Sequence, residues 1–434
     1  MKKRFAICST IVLLLLLSAC GAPQTLDFSY APEGEELSSL MVETSQTHRA
    51  ELEHVPSAAD FADAISDDPA SAGLLSENEV ESLLRGHAAM ETVSKEQAQS
   101  DVSLLFRTLQ SAYGAYEYFG QEKFDAAEDA VTQWLSSQDD EIKVSALGEK
   151  LQESLAFMLA HDAHAVIYEP AAEEIEAQVR YEYFFADGFY FSKDVNGSYY
   201  MVNDGERWTL SSFSDEHVSV QPTLLQDGRI VYQPTLFALR KDAVQSSVTL
   251  KNSSGKAKIY RLDWTESQPL DVDLGTLDYR LIQEDGLTYV SLRSFVSGTY
   301  DNMLARYARE GAKARGSKAV IYDLRGNVGG SDSWPRKWIQ SFLGTQNSIE
   351  TSMLYAQKNS ALFAAENSES LLPEDEGTCF AREVHGTWYE NDIPIIVLVD
   401  DHCGSSGEGA VQLLKTLDNV LIVGSNTAGY KLCG

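Results

Sequence analysis

The sequence predicts an α/β protein, and three observations carry that prediction. From Tyr279 onward, apolar β-branched runs alternate with amphipathic stretches, the pattern of crossover units on a mostly parallel sheet. Between Asp101 and Ala165, apolar residues recur at i, i+3, i+4 and i+7, which marks helices. From about Val166 to Asp273, aromatic and β-branched residues dominate between regular turn signals, which marks antiparallel hairpins. The expected order is a small helical bundle over 96–165, a β-rich domain over 166–275 and an α/β core over 276–434.

The start of the chain is set apart from all three. Lys2, Lys3 and Arg4 precede the apolar run Ile11 to Leu17, which is too short to span a bilayer. Leu17-Ser18-Ala19-Cys20 follows and resembles the bacterial lipobox, cleaved before a cysteine that receives lipid. That resemblance implies a signal peptide at 1–20, an acyl anchor on Cys20 and an extracytoplasmic protein held at the bacterial cell membrane. The alternative is an ordinary cleaved signal with an incidental cysteine. Residues 21–95 are acidic, with scattered Ser, Ala and Pro, and read as a tether with short helical pieces near Ala58 to Ile65 and Glu77 to Leu84.

The 434 residues carry a formal charge of -31, and loss of the leader's three cations makes the remainder more negative. Nucleic acid is excluded as a partner, because phosphate binding needs basic surface. Broad electrostatic adhesion to anionic lipid is excluded for the same reason, so the acyl chains would do the anchoring. Outside the leader and Cys20, the cysteines are Cys379, Cys403 and Cys433. Three allow one disulfide at most, and their spacing fits no metal motif.

Within the bundle, Val102, Leu105, Phe106, Leu109, Tyr113 and Tyr116 share one helical face. A second helix is expected near Lys123 to Leu135. A third carries Leu147, Leu151, Leu155, Met158 and Leu159, and the bundle ends at His161-Asp162-Ala163-His164-Ala165. In the β-rich part, turns are expected at Asp187-Gly188, Asn196-Gly197, Asp204-Gly205 and Asp227-Gly228. No PDZ-like carboxylate-binding loop is evident there.

In the core, strands are expected at Leu287 to Leu292, Lys318 to Leu324, Ile393 to Val399 and Val420 to Gly424. Helices are expected at Tyr300 to Arg315, at Pro335 to Leu343 and after Ser406. The stretch from about Asn347 to Trp388 reads as a surface insertion near the site. Ile393 to Gly409 is the most informative segment. A strand breaks at Asp400-Asp401-His402, passes Gly404-Ser405-Ser406-Gly407 and enters a helix. Such a turn holds one side chain at its apex, with the first helical amides facing whatever it attacks. Ser405 is the candidate nucleophile and the Ser406 N–H a candidate oxyanion donor. The plainer alternative is a polar turn with Ser405 or Ser406 as N-cap. Cys403 is a rival nucleophile, though it fits better as packing of the turn.

The strand at Lys318 runs into Gly326, Gly329 and Gly330. Glycines there let backbone amides approach a ligand, and they could supply a second oxyanion donor. The spacing fits neither GxGxxG nor a P-loop. A tight turn without further role remains the alternative.

Taken together, Asp323-Leu-Arg-Gly-Asn-Val-Gly-Gly330, Gly404-Ser-Ser-Gly-Glu408 and Val423-Gly-Ser-Asn-Thr-Ala-Gly429 resemble the C-terminal processing (tail-specific) serine peptidases, including the tricorn-core-like branch. The resemblance implies a ClpP/crotonase-like core and hydrolysis of peptide bonds with no metal or organic cofactor. It implies Ser405 as nucleophile and an oxyanion hole from Ser406 with Gly329 or Gly330. One branch takes its base from Thr-x-Gly-Lys. Here Tyr430 follows Thr427-Ala428-Gly429, and Lys431 comes one residue late, so Lys431 is the alternative base. The other branch uses a histidine after the N-terminal helices, which Asp162-Ala163-His164-Ala165 resembles. A histidine titrates near neutrality, whereas a lysine would need strong desolvation. His164 is therefore the expected base, against a plain helix-terminal histidine. The tricorn-like branch adds a Glu beyond these motifs, so the core is expected to be truncated at its C-terminus. Asp162 lies too close to His164 in sequence to replace that Glu with ease, and Glu408 is expected to orient or cap the turn. The expected partner is an extended peptide or protein substrate near the Gly329 loop. Two other functions stay open: a catalytically impaired peptide-binding or scaffolding lipoprotein, and a crotonase-like acyl-CoA enzyme, which the export signal disfavours.

Overall fold

The structure is a computed structural model and describes residues 36–85, 90–162, 164–167, 181–186, 188–203, 205–225, 228–239, 246–266, 279–298, 300–367 and 374–430. Two compact units emerge, Met1–Glu43 with Val179–Pro269, and Thr44–Gln178 with Leu270–Gly434.

The first unit holds two antiparallel sheets. One runs in the order Ala257–Leu262, Ser246–Asn252, Glu206–Phe213, Tyr199–Asn203, Ser192–Lys193. The other runs Trp264–Glu266, Tyr181–Ala186, Ile230–Leu239, Val218–Leu224. Alternation along the strands buries Phe191, Met201, Trp208, Val248 and Leu250 in one cluster. The hairpin at Asn196-Gly197 shows why its residues were chosen. Gly197 sits at φ 79°, and its N–H donates to the Asp194 carbonyl at 2.9 Å.

The second unit begins with helices. α1 (Lys95–Ala112), α2 (Gln121–Ser136) and α3 (Val144–Ser154) pack Val102, Phe106, Phe124, Val131, Leu135 and Leu147 into one core. Ser94 caps α1, its Oγ accepting from the Gln97 N–H at 3.1 Å. The helix expected to carry Leu147 through Leu159 is broken. The backbone turns at Leu155 (φ -98°, ψ 10°), and a short turn, Ala156–Leu159, follows. Leu155 and Met158 are still buried. The break redirects the chain into the Asp162–His164 turn.

The acidic stretch expected to be a tether is not one where it is described. Leu37–Glu53 is a helix of 17 residues, and its second half packs on the second unit. Ser45 Oγ accepts from the Asn419 N–H at 2.9 Å. Glu51 pairs with Lys415, and the Leu52 carbonyl accepts from Ser352. The Glu77–Arg85 helix is fixed likewise, because Arg107 donates to the Leu74 carbonyl and to Glu79, both at 2.6 Å. Composition reported solvation correctly but could not show that these acids find cations elsewhere in the unit.

The core contains β1 (Arg280–Glu284), β2 (Leu287–Ser291), α4 (Asp301–Glu310), β3 (Ala319–Asp323), α5 (Ser333–Leu343), β4 (Ile395–Val399), α6 (Ser406–Leu414) and β5 (Val420–Gly424). The five strands lie in chain order in one sheet. β1 is antiparallel to β2, and all other neighbours are parallel. Both faces are covered, with Val320, Tyr322, Ile395, Val397, Trp338, Leu413 and Leu414 buried together. Full burial of each such aliphatic side chain contributes roughly 1.5–3 kcal/mol. The expected helix Tyr300 to Arg315 stops early and tightens into a 3-10 segment, Gly311–Gly316. Gly311 approaches α5 so closely that a Cβ there would lie 3.0 Å from the Phe342 nitrogen. The insertion after α5 is a hairpin, Met353–Lys358 with Cys379–Val384. Its buried Lys358 donates to the Gln110 carbonyl at 2.7 Å and to Glu117 at 2.5 Å, so it is anchored to the helices. Among the described residues no helix is long and apolar enough to cross a membrane.

Candidate active site

β4 points its C-terminal end at a turn that changes direction within a few residues. Ser405 sits at φ 51° and ψ -119°, immediately before α6. Such backbone conformations cost roughly 1–3 kcal/mol in a residue with a side chain and persist only where neighbours enforce them. The enforcing contacts come from the loop after β3. The Gly404 N–H donates to the Asn327 carbonyl at 2.9 Å. Ser406 Oγ donates to the Gly330 carbonyl at 2.7 Å. Within the turn, the Gly407 N–H reaches the Gly404 carbonyl at 2.8 Å, and the Gly409 N–H reaches that of Ser405 at 2.9 Å. The Ser405 side chain makes no capping hydrogen bond, so the plain N-cap reading fails for it.

Asn327 is the hub of the glycine loop and is fully buried. Its Nδ2 donates to the Leu292 carbonyl at 2.8 Å, and its Oδ1 accepts from the Gly329 N–H at 3.0 Å. Gly329 stands at φ 104° against the serine. A Cβ there would lie 2.6 Å from Ser405 Cβ and 3.0 Å from the Ser406 nitrogen. The Gly329 amide, an expected oxyanion donor, is thus turned inward to Asn327. Among the described residues the Gly330 and Ser406 N–H groups have no acceptor, and each lies beside one of these contacts.

Below the loop, Asp323 is fully buried. Arg325 donates to it at 2.9 and 2.8 Å, Tyr289 at 2.8 Å and Arg293 at 3.2 Å. Burial alone would raise its pKa, but the hydrogen bonds from Arg325, Arg293 and Tyr289 prevail and hold it at about 2. The base of the loop is therefore an ionised carboxylate locked between two guanidinium groups.

Cys403 is fully buried. Burial first, then the charges of Glu408, Asp400 and Asp323, push its thiol far above the usual range. That removes it as a rival nucleophile, since the thiolate is the reactive form. Cys379 is also a free thiol.

The helical bundle delivers His164 to the same region. Asp162 is buried. Its Oδ1 accepts from the N–H groups of His164 at 3.0 Å and Ala165 at 3.3 Å, while Oδ2 accepts from the Tyr113 hydroxyl at 2.9 Å. Asp162 therefore fixes the backbone of the turn. The His164 ring is exposed and lies 5.6 Å from the Tyr430 ring, centroid to centroid. Tyr430 in turn covers Gly404, where a Cβ would meet Tyr430 Cδ2 at 2.6 Å. The structure thus joins the histidine to the serine's turn through one aromatic ring. Glu408 braces the loop carrying that ring. Its Oε1 accepts from Thr427 Oγ1 at 2.6 Å and from the Gly429 N–H at 2.7 Å. Cys20, Lys431 and Cys433 lie outside the described residues.

Among the described residues, the one group close enough to hold a metal is Asp400, Asp401 and His402. Asp400 Oδ1 is already occupied by the N–H groups of Gly326 at 2.8 Å and His402 at 3.2 Å. Two parts of the site escaped sequence reading, the bridging role of Asn327 and the placement of Tyr430. The first had a signal, because Asn before glycines favours side-chain bonds to its own backbone two residues on. The second had none, since it depends on where two distant loops meet.

A serine raised at a strand-to-helix turn beside amide donors is the layout of an acyl-transfer centre. Residues 286–433 match the model of peptidase family S41. No curated protein matches the chain. Several solved structures are similar. Mature CPAF is 12% identical over 77% of this chain and 84% of its own, with a TM-score of 0.33. A putative peptidase from Parabacteroides merdae is 15% identical over 77% and 76%, at 0.34. The photosystem II D1 C-terminal processing protease is 13% identical over 77% and 82%, at 0.30.

Proposed function

We propose that the protein is a serine peptidase that cleaves peptide bonds of extracytoplasmic proteins or peptides. The observation that carries this reading is the enforced conformation of Ser405, a non-glycine residue at φ 51° with Gly329 packed on its Cβ. Ser405 Oγ attacks the scissile carbonyl while His164 takes its proton. The N–H groups of Ser406 and Gly330 receive the developing oxyanion. The amine leaves with the proton from His164, and water then releases the acyl group by the same steps. The acyl anchor on Cys20 would hold the enzyme at the outer face of the cell membrane; its support is the motif Leu17-Ser-Ala-Cys20.

A fluorophosphonate probe tests the chemistry. The full chain should be labelled, Ser405→Ala should abolish labelling, and His164→Ala should slow it by about 100- to 10,000-fold, the span of general-base catalysis. Absence of labelling in the wild type would favour a peptide-binding lipoprotein on the same fold. Tyr430, at the position where the lysine branch has its base, is the observation on that side.

A further inference from the structure

We infer that Asp400, Asp401 and His402 form a binding site for a divalent transition-metal ion of the zinc type; the inference does not depend on the peptidase reading above. β4 ends at Val399, and the chain then turns. The Cys403 N–H donates to the Asp400 carbonyl at 3.0 Å, and the His402 N–H to Asp400 Oδ1 at 3.2 Å. That turn gathers three consecutive side chains, one ligand atom from each, within 4.8 Å of one another. Two carboxylates and an imidazole are a donor set that suits zinc and leaves coordination positions for water.

The cluster carries two buried polar atoms that no described residue satisfies. Asp400 is 6% exposed. Its Oδ1 accepts from the Gly326 N–H at 2.8 Å, whereas its Oδ2 is buried without a partner. A buried carboxylate oxygen in that state costs free energy, and a cation beside it removes the cost. Arg325 feels the charge of Asp400, but its side chain's hydrogen bonds go to Asp323. The second atom is His402 Nδ1. It lies 3.1 Å from Asp401 Oδ1, close enough for an ion pair with a protonated ring, yet it is buried and outside hydrogen-bonding geometry. Ligand atoms about 2.0–2.2 Å from one zinc ion at a tetrahedral angle stand roughly 3.3–3.6 Å apart. The observed spacing is close to that of two ligands facing a common ion. Because Asp400 also holds the Gly326 N–H, an ion here ties the end of β4 to the glycine loop, just ahead of Ser405.

The test uses the full chain, freed of metal with a chelator and titrated with zinc chloride against a chromophoric zinc indicator. The wild type should bind about one zinc ion per chain. His402→Ala and Asp401→Asn should each weaken binding by at least roughly 10- to 100-fold, the loss that even an outer-shell partner of a metal ligand causes. Asp400→Asn keeps an acceptor for the Gly326 N–H and should weaken binding as much. His217→Ala removes an exposed histidine beside Asp215 and, as the control, should bind like the wild type. Zinc should also raise the melting temperature of the wild type and leave that of His402→Ala unmoved, since a ligand stabilises only the fold that binds it. A folded wild type that takes up no zinc overturns the inference. So does a His402→Ala or Asp400→Asn variant that binds zinc as the wild type does, because the ion then sits elsewhere. Labelling at Ser405 is a separate measurement, so the peptidase reading and this inference fail independently.

Discussion

Ser405 holds a backbone conformation that is costly for a residue with a side chain, and Gly329, at a positive φ that glycine adopts freely, packs against it. Gly329→Ala would place a methyl 2.6 Å from Ser405 Cβ at φ 104°. We expect about 1–3 kcal/mol of lost stability from the strained backbone, read from the urea midpoint. Probe labelling of Ser405 should fall at the same time, because the turn has to give. A second residue-scale effect follows from Asp323. Its pKa drops from an ordinary 3.8 to about 2 in the folded protein. Its contribution is complete above about pH 4, where the unfolded chain is also ionised, and fades as the pH falls through 2. The contribution is about 2 kcal/mol from the size of that shift. Urea unfolding of wild type and Asp323→Asn across this range should show their stability difference shrinking by that amount toward acid. A constant difference would mean that Asp323 acts by shape alone.

At the scale of elements, β5 was legible residue for residue, and β4 nearly so, because an apolar β-branched run ending in Asp or Gly has few other readings. α5 begins at Ser333, two residues ahead of the expected Pro335, since proline suits the first turn of a helix as well as its boundary. Leu37–Glu53 was illegible for the opposite reason. It offers little beyond Leu40 and Met41 as buried apolar side chains, and partners from far along the chain stabilise it. The insertion's hairpin is half-buried or exposed along most of its length, as a surface segment should be, but sequence could not show that Lys358 would be buried. Its side chain is 4% exposed and lies against Glu117. Glu117→Ala leaves that ammonium without its closest carboxylate and should cost about 3 kcal/mol, seen as a lower melting temperature. Lys358→Met in the Glu117→Ala background should recover part of the loss, because a well-packed thioether carries no charge to desolvate. The strand-to-helix turn at Ser405 and the glycine loop packed on it were legible as backbone features. Asn327 and Tyr430 act through meetings between loops, which local patterns do not encode.

For the whole molecule, two separate hydrophobic clusters, one around Trp208 and one around Trp338, belong to different units. Trp208→Ala should therefore destabilise the β-rich unit by about 3–5 kcal/mol and leave the labelling rate at Ser405 unchanged, since effects at sites with no shared partners add. Equal loss in both measurements would show one cooperative molecule. The serine's turn depends on a partner loop reached across 76 residues, through the bond from Ser406 to Gly330. On a ribosome the glycine loop emerges first and waits for α6, so an unfinished chain carries an ordinary alcohol at position 405. On the proposed function, reactivity would arrive only with tertiary closure, when the two loops meet.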